Sequence, residues 1–326
     1  MAAPRFLPPH DRIPLEGLAG QYGPYIADAR LVHAANTALG LGMPLLLTGD
    51  PGSGKSDFAW VLAKRLGHAE PLRCQVRSTT TARELLYHYD ALVRFADAQS
   101  GNRERAQEPR HYVRLRPLGM ALMSRDAERP PVVLLDEIDK APRDLPNDLL
   151  WELDEGRFEI PEIANADASQ DVRDPEHPAV PLARRMERPA GAQRPLVVIT
   201  SNSERQLPDA FLRRCVFFHI PTPGAAQLVT IAKVRFPDEP PRLLESLVRL
   251  FDGLRKERLT KVPTTAEMLD WLAALTRLHP RREIEAVAAE LLLALEEGVP
   301  RFHELPALGC LIKLRGDHEL LEPREA

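Results

Sequence analysis

The sequence predicts an α/β fold, a parallel sheet flanked by helices, followed by a small all-α domain. Three observations predict it. Short continuous apolar runs recur, each ending abruptly in a polar or Gly-rich stretch, as strands buried on both faces do. Segments of helical apolar spacing alternate with these runs. After Pro221-Thr222-Pro223-Gly224 the strand signals stop and only helical patterns follow.

Taken in order, residues 1–24 are rich in Pro and Gly and read as an extended arm. Ala27 to Leu41 carries Leu31, Val32, Ala35 and Leu39 at helical spacing. Pro44-Leu45-Leu46-Leu47-Thr48 is a buried strand running into a Gly-rich loop, and Phe58 to Leu66 is a helix stopped by Gly67. Pro71 to Val76 reads as a strand, Thr79 to Arg94 as an amphipathic helix, and the polar stretch Asp97 to Arg110 as exposed. Val132 to Leu135 is a strand ending in Asp136-Glu137, and Asp144 to Asp154 a helix. The Asp-, Pro- and Arg-rich segment from Ile163 to Arg194 predicts a hairpin and a mobile loop. Leu196 to Thr200 and Val216 to Ile220 are the last strands. Helices then cover Ala225 to Val234, Pro241 to Lys256, Thr264 to Leu278 and Arg281 to Glu297. The organisation expected is an arm over 1–24, an α/β domain over 25–222 and a helical lid over 223–326.

The 326 residues, 44% hydrophobic, suffice for a real core. A net charge of −4 offers no whole-protein attraction to nucleic acid or acidic lipid. Cys74, Cys215 and Cys310 form no CxxC pair, which argues against a disulfide framework and a cysteine zinc site. No stretch reads as a signal peptide or a membrane span, so a cytoplasmic location is expected. The ten histidines form no HxxxH or HExxH pair, which argues against a catalytic metal held by histidine. Trp60, Trp151 and Trp271 lie in expected helices and read as core.

Four motifs carry chemistry. Gly49-Asp50-Pro51-Gly52-Ser53-Gly54-Lys55-Ser56 fills every fixed position of GxxxxGK[ST], the P-loop. Glycines let backbone N–H groups curl around phosphate oxygens, and the following helix N-terminus favours negative charge. Lys55 can then reach the β and γ phosphates, and the Ser56 hydroxyl can sit on Mg²⁺. Val132 to Glu137 delivers two carboxylates to the edge where open α/β sheets bind ligands. Asp136 would hold Mg²⁺ and Glu137 would polarise the attacking water, the alternative being a solvated strand end. Asp139 and Lys140 read equally as solvated loop charges or as functional ones. Thr200-Ser201-Asn202 ends another strand; Asn202 is either a holder of the lytic water or a turn former. In Leu207-Pro208-Asp209-Ala210-Phe211-Leu212-Arg213-Arg214 the arginines are either a surface pair or a finger for a neighbour's nucleotide. Ser78 to Leu86 and the Arg184-Arg185-Met186-Glu187-Arg188 patch are open to contact with a substrate or partner, or are solvated.

These motifs, in this order, resemble the AAA+ ATPases, and within them the MoxR-like group. Gly23-Pro24-Tyr25-Ile26-Ala27-Asp28, Asp136 to Ala141 and Thr200 to Cys215 are the most similar parts, and the likeness spans about residues 20–280. The resemblance implies an AAA+ large domain with a helical lid and a nucleotide site comprising Gly49 to Ser56, with Asp57 beside it. It implies Walker B roles for Asp136 and Glu137, sensor 1 for Asn202, and an arginine finger at Arg214, with Arg213 as the fallback. Tyr25 and Ile26 fall where the family borders the adenine. An extra helix would fall within residues 84–125, and a pre-sensor hairpin near Phe158 to Ile163. One departure is plain: Lys261-Val262-Pro263-Thr264-Thr265-Ala266-Glu267 opens a lid helix without the family's sensor-2 arginine, as in a branch that includes maturation factors for carbon monoxide dehydrogenase.

By resemblance, the cofactors are ATP and Mg²⁺ and the assembly is a ring, a hexamer, that remodels or assembles a client protein or metalloenzyme complex. A partner with a von Willebrand factor A domain is implied in the same way. The alternatives are a nucleotide-dependent switch with slow turnover and a motor subunit of a DNA-processing complex, the acidic balance counting against the latter.

Overall fold

The computed structural model describes residues 19–20, 23–163, 172–177, 179–202 and 205–322. Most of the expected arm, and part of the loop expected between Ile163 and Arg194, lie outside the described residues.

The described residues open with the short pair β1 (Ala19–Gly20) and β2 (Gly23–Pro24). Helix α1 (Ala29–Leu41) starts where the Asp28 carboxylate accepts the Arg30 N–H and ends at Gly42, whose φ of 64° closes the last turn. β3 (Leu45–Thr48) is buried along its length, and the glycine loop leads from it into α2 (Lys55–Arg65). β4 (Leu72–Gln75) follows, then α3 (Ala82–Leu86), β5 (Tyr87–Tyr89), α4 (Ala91–Gln99), α5 (Arg103–Gln107), β6 (Val113–Leu115) and α6 (Pro117–Leu122). β7 (Val132–Asp136) precedes α7 (Leu145–Asp148), α8 (Leu150–Glu155) and the antiparallel hairpin of β8 (Arg157–Glu159) with β9 (Arg185–Glu187). β10 (Leu196–Ser201), α9 (Asp209–Leu212) and β11 (Val216–His219) complete the sheet region. α10 (Ala225–Arg235), α11 (Pro241–Leu254), α12 (Thr265–Leu278), α13 (Arg281–Glu296) and α14 (Arg315–Leu321) are the remaining α-helices.

Two compact units result. The first holds 27–48 and 56–219 in their described parts. Its five parallel strands run in the order β11-β3-β10-β7-β4, with Ser201 opposite Thr48 and Gln75 opposite Asp136. All strands point the same way, so Thr48, Asp136, Ser201 and His219 end at one edge. β3, β7 and β10 are buried and apolar up to their polar C-terminal ends, as strands covered on both faces are.

The second unit joins 23–26 and the loop 49–55 to the helices beyond 220. Leu243, Leu244, Leu247, Val248, Phe251 and Leu254 form the buried stripe of α11 and pack with Trp271, Leu272 and Leu275 of α12. Trp271 is fully buried, and its indole N–H donates to the Pro306 carbonyl at 2.8 Å. α12 begins with a capping box: Thr264 accepts the Glu267 N–H while Glu267 accepts that of Thr264.

The structure departs from sequence expectation in four places. The helix expected from Thr79 to Arg94 is broken by β5, which pairs with β6, Tyr87 opposite Leu115. Burial of Tyr87, Val113 and Leu115 outweighs the local helical period. The helix expected from Asp144 to Asp154 is two pieces joined at Leu149, which keeps helical dihedrals. The polar stretch 97–110 is not wholly exposed: the Glu108 carboxylate accepts two side-chain N–H groups of Arg110, and both residues are buried. Trp151 is exposed rather than core, with the Arg157 guanidinium 4.9 Å above its ring.

Candidate functional site

The loop 49–55 takes a shape that only glycine permits at three positions. Gly49, Gly52 and Gly54 have φ of 146°, 71° and 88°. A Cβ on Gly49 would lie 2.6 Å from the Ile220 carbonyl oxygen, and one on Gly54 2.9 Å from the Tyr25 ring. A Cβ on Gly52 would lie 2.8 Å from that of Ala266 and 3.0 Å from the Thr264 hydroxyl. The loop is thus seated on the start of α12 and under Tyr25. Asp50 is tied to the chain after β11 by a hydrogen bond from the Thr222 hydroxyl. Lys55 is buried, and its ammonium donates to the Gly49 and Asp50 carbonyls, both at 2.8 Å. The Ser53 hydroxyl is buried without a hydrogen-bond partner. A loop of left-handed glycines with a buried ammonium and an unsatisfied hydroxyl fits a phosphate group.

Ser56, in the first turn of α2, donates to Asp136 Oδ1 at 2.7 Å. The Thr200 hydroxyl donates to the same oxygen at 2.7 Å and accepts the Glu137 N–H at 2.9 Å. The Arg73 guanidinium lies 3.8 Å from Asp136 Oδ2. A hydroxyl and a carboxylate in contact are hard oxygen donors of the kind Mg²⁺ takes, the remaining positions falling to water and phosphate. Among the described residues no group of three or more His, Cys, Asp or Glu is placed to hold a metal.

Glu137 has φ 59° and ψ 53°, left-handed for a residue with a side chain. Its carboxylate is ion-paired with Lys140 at 2.6 Å, and both side chains are exposed. The pair borders a polar cavity of about 400 Å³ lined also by Arg77, Ser78, Asp139 and Arg205. Asn202 donates its backbone N–H to Asp139 Oδ2 at 3.1 Å.

The structure brings Ser56, Asp136 and Glu137 into one hydrogen-bonded group, and links Asn202 to that strand end through Asp139. It does not bring Arg214 there: at the turn before β11, Arg214 pairs with Asp154 of α8 at 3.0 Å. Arg213 is exposed on the same turn, Tyr25 lies against Gly54, and Ile26 is half-buried. Asp57 sits in the first turn of α2.

Sequence reasoning missed two contributors. Thr200 was legible as a hydroxyl in an otherwise apolar buried strand. Asp139, whose solvated and functional readings the sequence left open, is buried with only 3% of its surface exposed, and no local signal marks it. Burial pushes the Cys74 and Cys215 thiols up to about 12, so neither is a poised nucleophile. No described helix is long and apolar enough to cross a membrane.

A parallel sheet in this strand order, with a glycine loop after β3 and an acidic pair after β7, defines a P-loop ATPase domain of the AAA type. The chain belongs to the AAA domain family, dynein-related subfamily, whose model matches residues 44–215. Among solved structures the chain is similar to the AAA domain of FIGL-1 in complex with ADP. The two are 14% identical with a TM-score of 0.37, over 87% of this chain and 74% of that one. No curated protein matches the sequence.

Proposed function

We propose that this chain binds Mg-ATP through residues 49–57 and hydrolyses it, using the turnover to remodel or assemble a client protein or metalloenzyme complex. The observation that carries the reading is the Ser56–Asp136 contact at 2.7 Å, next along the chain from a loop of left-handed glycines. Lys55 and the loop N–H groups neutralise and hold the phosphates. Ser56 and Asp136 hold the metal; Mg²⁺, when bound, neutralises charge on the phosphate oxygens. Glu137 takes the proton of the attacking water, and the Asn202 amide orients that water without adding charge. Tyr25, against Gly54, and Ile26 border the adenine.

Arg214 reaches a nucleotide held by a neighbouring copy, with Arg213 as the fallback, so the active form is a ring, a hexamer. Its exposure on the turn before β11 supports that use. The residues from Gly23 to Asp28 and from Asp136 to Ala141 support placement with MoxR-like ATPases, and with it a von Willebrand factor A domain partner. Steady-state ATP hydrolysis across protein concentrations tests the reading. Specific activity that rises with concentration and vanishes in Glu137→Gln is expected; turnover that persists in that variant contradicts it.

One observation favours a slower, switch-like variant of this function. The Glu137 carboxylate is engaged by Lys140 rather than open, and Arg214 by Asp154. Both pairs must part before either residue acts in hydrolysis. Tight ATP binding with negligible turnover at every concentration would identify the switch.

A further inference from the structure

We infer that Thr200 and Asp139 are positioning residues, a reciprocal clasp across the ends of β7 and β10 that fixes Glu137 and Asn202 relative to one another. The inference rests on the roles proposed above for those two residues. β7 and β10 pair in parallel as far as Leu135 opposite Ile199. Beyond that point the β7–β10 ladder ends, although β10 stays paired with β3 as far as Ser201 and β7 with β4 as far as Asp136; Glu137 and Asn202 lie just past both strands. Two side-chain bonds take over. The Glu137 N–H donates to Thr200 Oγ1 at 2.9 Å, and the Asn202 N–H donates to Asp139 Oδ2 at 3.1 Å. Each strand end therefore lends a side chain to the other's backbone.

The arrangement is specific rather than incidental. Thr200 and Asp139 are 1% and 3% exposed, so bulk water does not compete for these bonds. The Thr200 hydroxyl has one proton and gives it to Asp136 Oδ1, which also accepts from Ser56. A single hydroxyl thus ties the backbone of the proposed base to the carboxylate proposed to hold the metal. Glu137 needs that tie, because its left-handed backbone is one that a residue with a side chain leaves unless surrounding bonds hold it. Val in place of Thr200 would keep the shape and remove both bonds of the hydroxyl, to the Glu137 N–H and to Asp136. Ser would keep them.

The experiment is steady-state hydrolysis of Mg-ATP by the full chain, with melting temperature and ATP affinity measured alongside. Thr200→Val is expected to lower kcat by about tenfold to a hundredfold, the cost of misplacing reacting groups by less than an ångström to an ångström. KM and ATP affinity stay near wild type. Thr200→Ser restores kcat. Should Thr200→Val not fold, Asp139→Ala carries the same test, its kcat falling while ATP affinity holds. Wild-type kcat in Thr200→Val, or in Asp139→Ala where that variant carries the test, overturns the clasp while loss of turnover in Glu137→Gln leaves the proposed base standing. A kcat loss accompanied by equal losses of affinity and melting temperature, unrescued by Ser, also overturns it, since that is a merely structural role. Turnover surviving in Glu137→Gln removes the proposed base and the clasp with it.

Discussion

Substituting Gly54 by Ala perturbs the glycine loop at a position where the cost can be worked from geometry. Its φ of 88° lies in the left-handed region, where a side chain costs about 1–2 kcal/mol. The new Cβ would lie 2.9 Å from Tyr25 Cε2, so the ring must retreat by several tenths of an ångström to reach ordinary contact. The ring can move; the backbone strain cannot be relieved without changing the loop. If the free loop keeps its shape, the full strain appears as lost stability. If the free loop relaxes, restoring it on binding reduces affinity instead. The two losses together therefore reach at least about 1–2 kcal/mol, or about 5- to 30-fold if all of it falls on binding. Titration with a fluorescent ATP analogue, paired with urea unfolding, measures both. Unchanged affinity together with unchanged stability in Gly54→Ala would refute the reasoning, because a left-handed alanine cannot be free.

Three further outcomes follow from the same structure. In Gly119→Ala the Cβ would lie 2.0 Å from the Leu86 carbonyl oxygen, which accepts the Arg116 N–H at 2.9 Å. Overpacking and loss of that bond together cost about 2–6 kcal/mol in urea unfolding; a change under about 0.5 kcal/mol would contradict the close approach of α6 to Leu86. Arg214→Ala breaks an exposed pair with Asp154 and a long hydrogen bond to the Ala210 carbonyl, and is expected to change stability by less than about 1 kcal/mol while removing turnover and sparing ATP binding; loss in Arg213→Ala instead would move the finger. Hydrogen bonds from the Thr260 and Lys261 N–H groups hold the Asp317 carboxyl below its ordinary value. The stability this gives is fully present above the unfolded value, about 3.9, and is lost as pH falls through the lower folded value. Urea midpoints from pH 7 to 3 should lose this dependence in Asp317→Asn; parallel curves would contradict it.

Much of the sheet was legible because its strands are buried on both faces. Leu45-Leu46-Leu47 and Val132-Val133-Leu134-Leu135 admit no helical stripe, and their ends announce themselves in Gly49 and Asp136. The helices after Pro221 were legible from spacing, as the stripe of α11 illustrates. The region from Thr79 to Leu122 was not. Tyr87-His88-Tyr89 becomes a strand only because Val113-Arg114-Leu115 lies beside it, and the long-range pairing has no local signature. The Glu108–Arg110 pair was misread because charge alone suggests water; the partner lies two residues away, and the fold supplies the burial. At the site, Ser56 and Asp136 could be named because their types and spacing are tied to chemistry. Thr200 and Asp139 act through hydrogen bonds across strand ends, and spacing along one chain does not encode those. The seating of Gly52 on Ala266 was likewise invisible, since the two are 214 positions apart.

The most direct measurement is the calorimetric titration of Mg-ATP into the wild-type chain and into Lys55→Ala, with melting curves to show that both are folded. One site per chain is expected in the wild type, and a loss of at least about tenfold in affinity for Lys55→Ala, the equivalent of one charge-assisted contact. Equal affinity in a folded Lys55→Ala would mean that the loop after β3 does not hold the triphosphate.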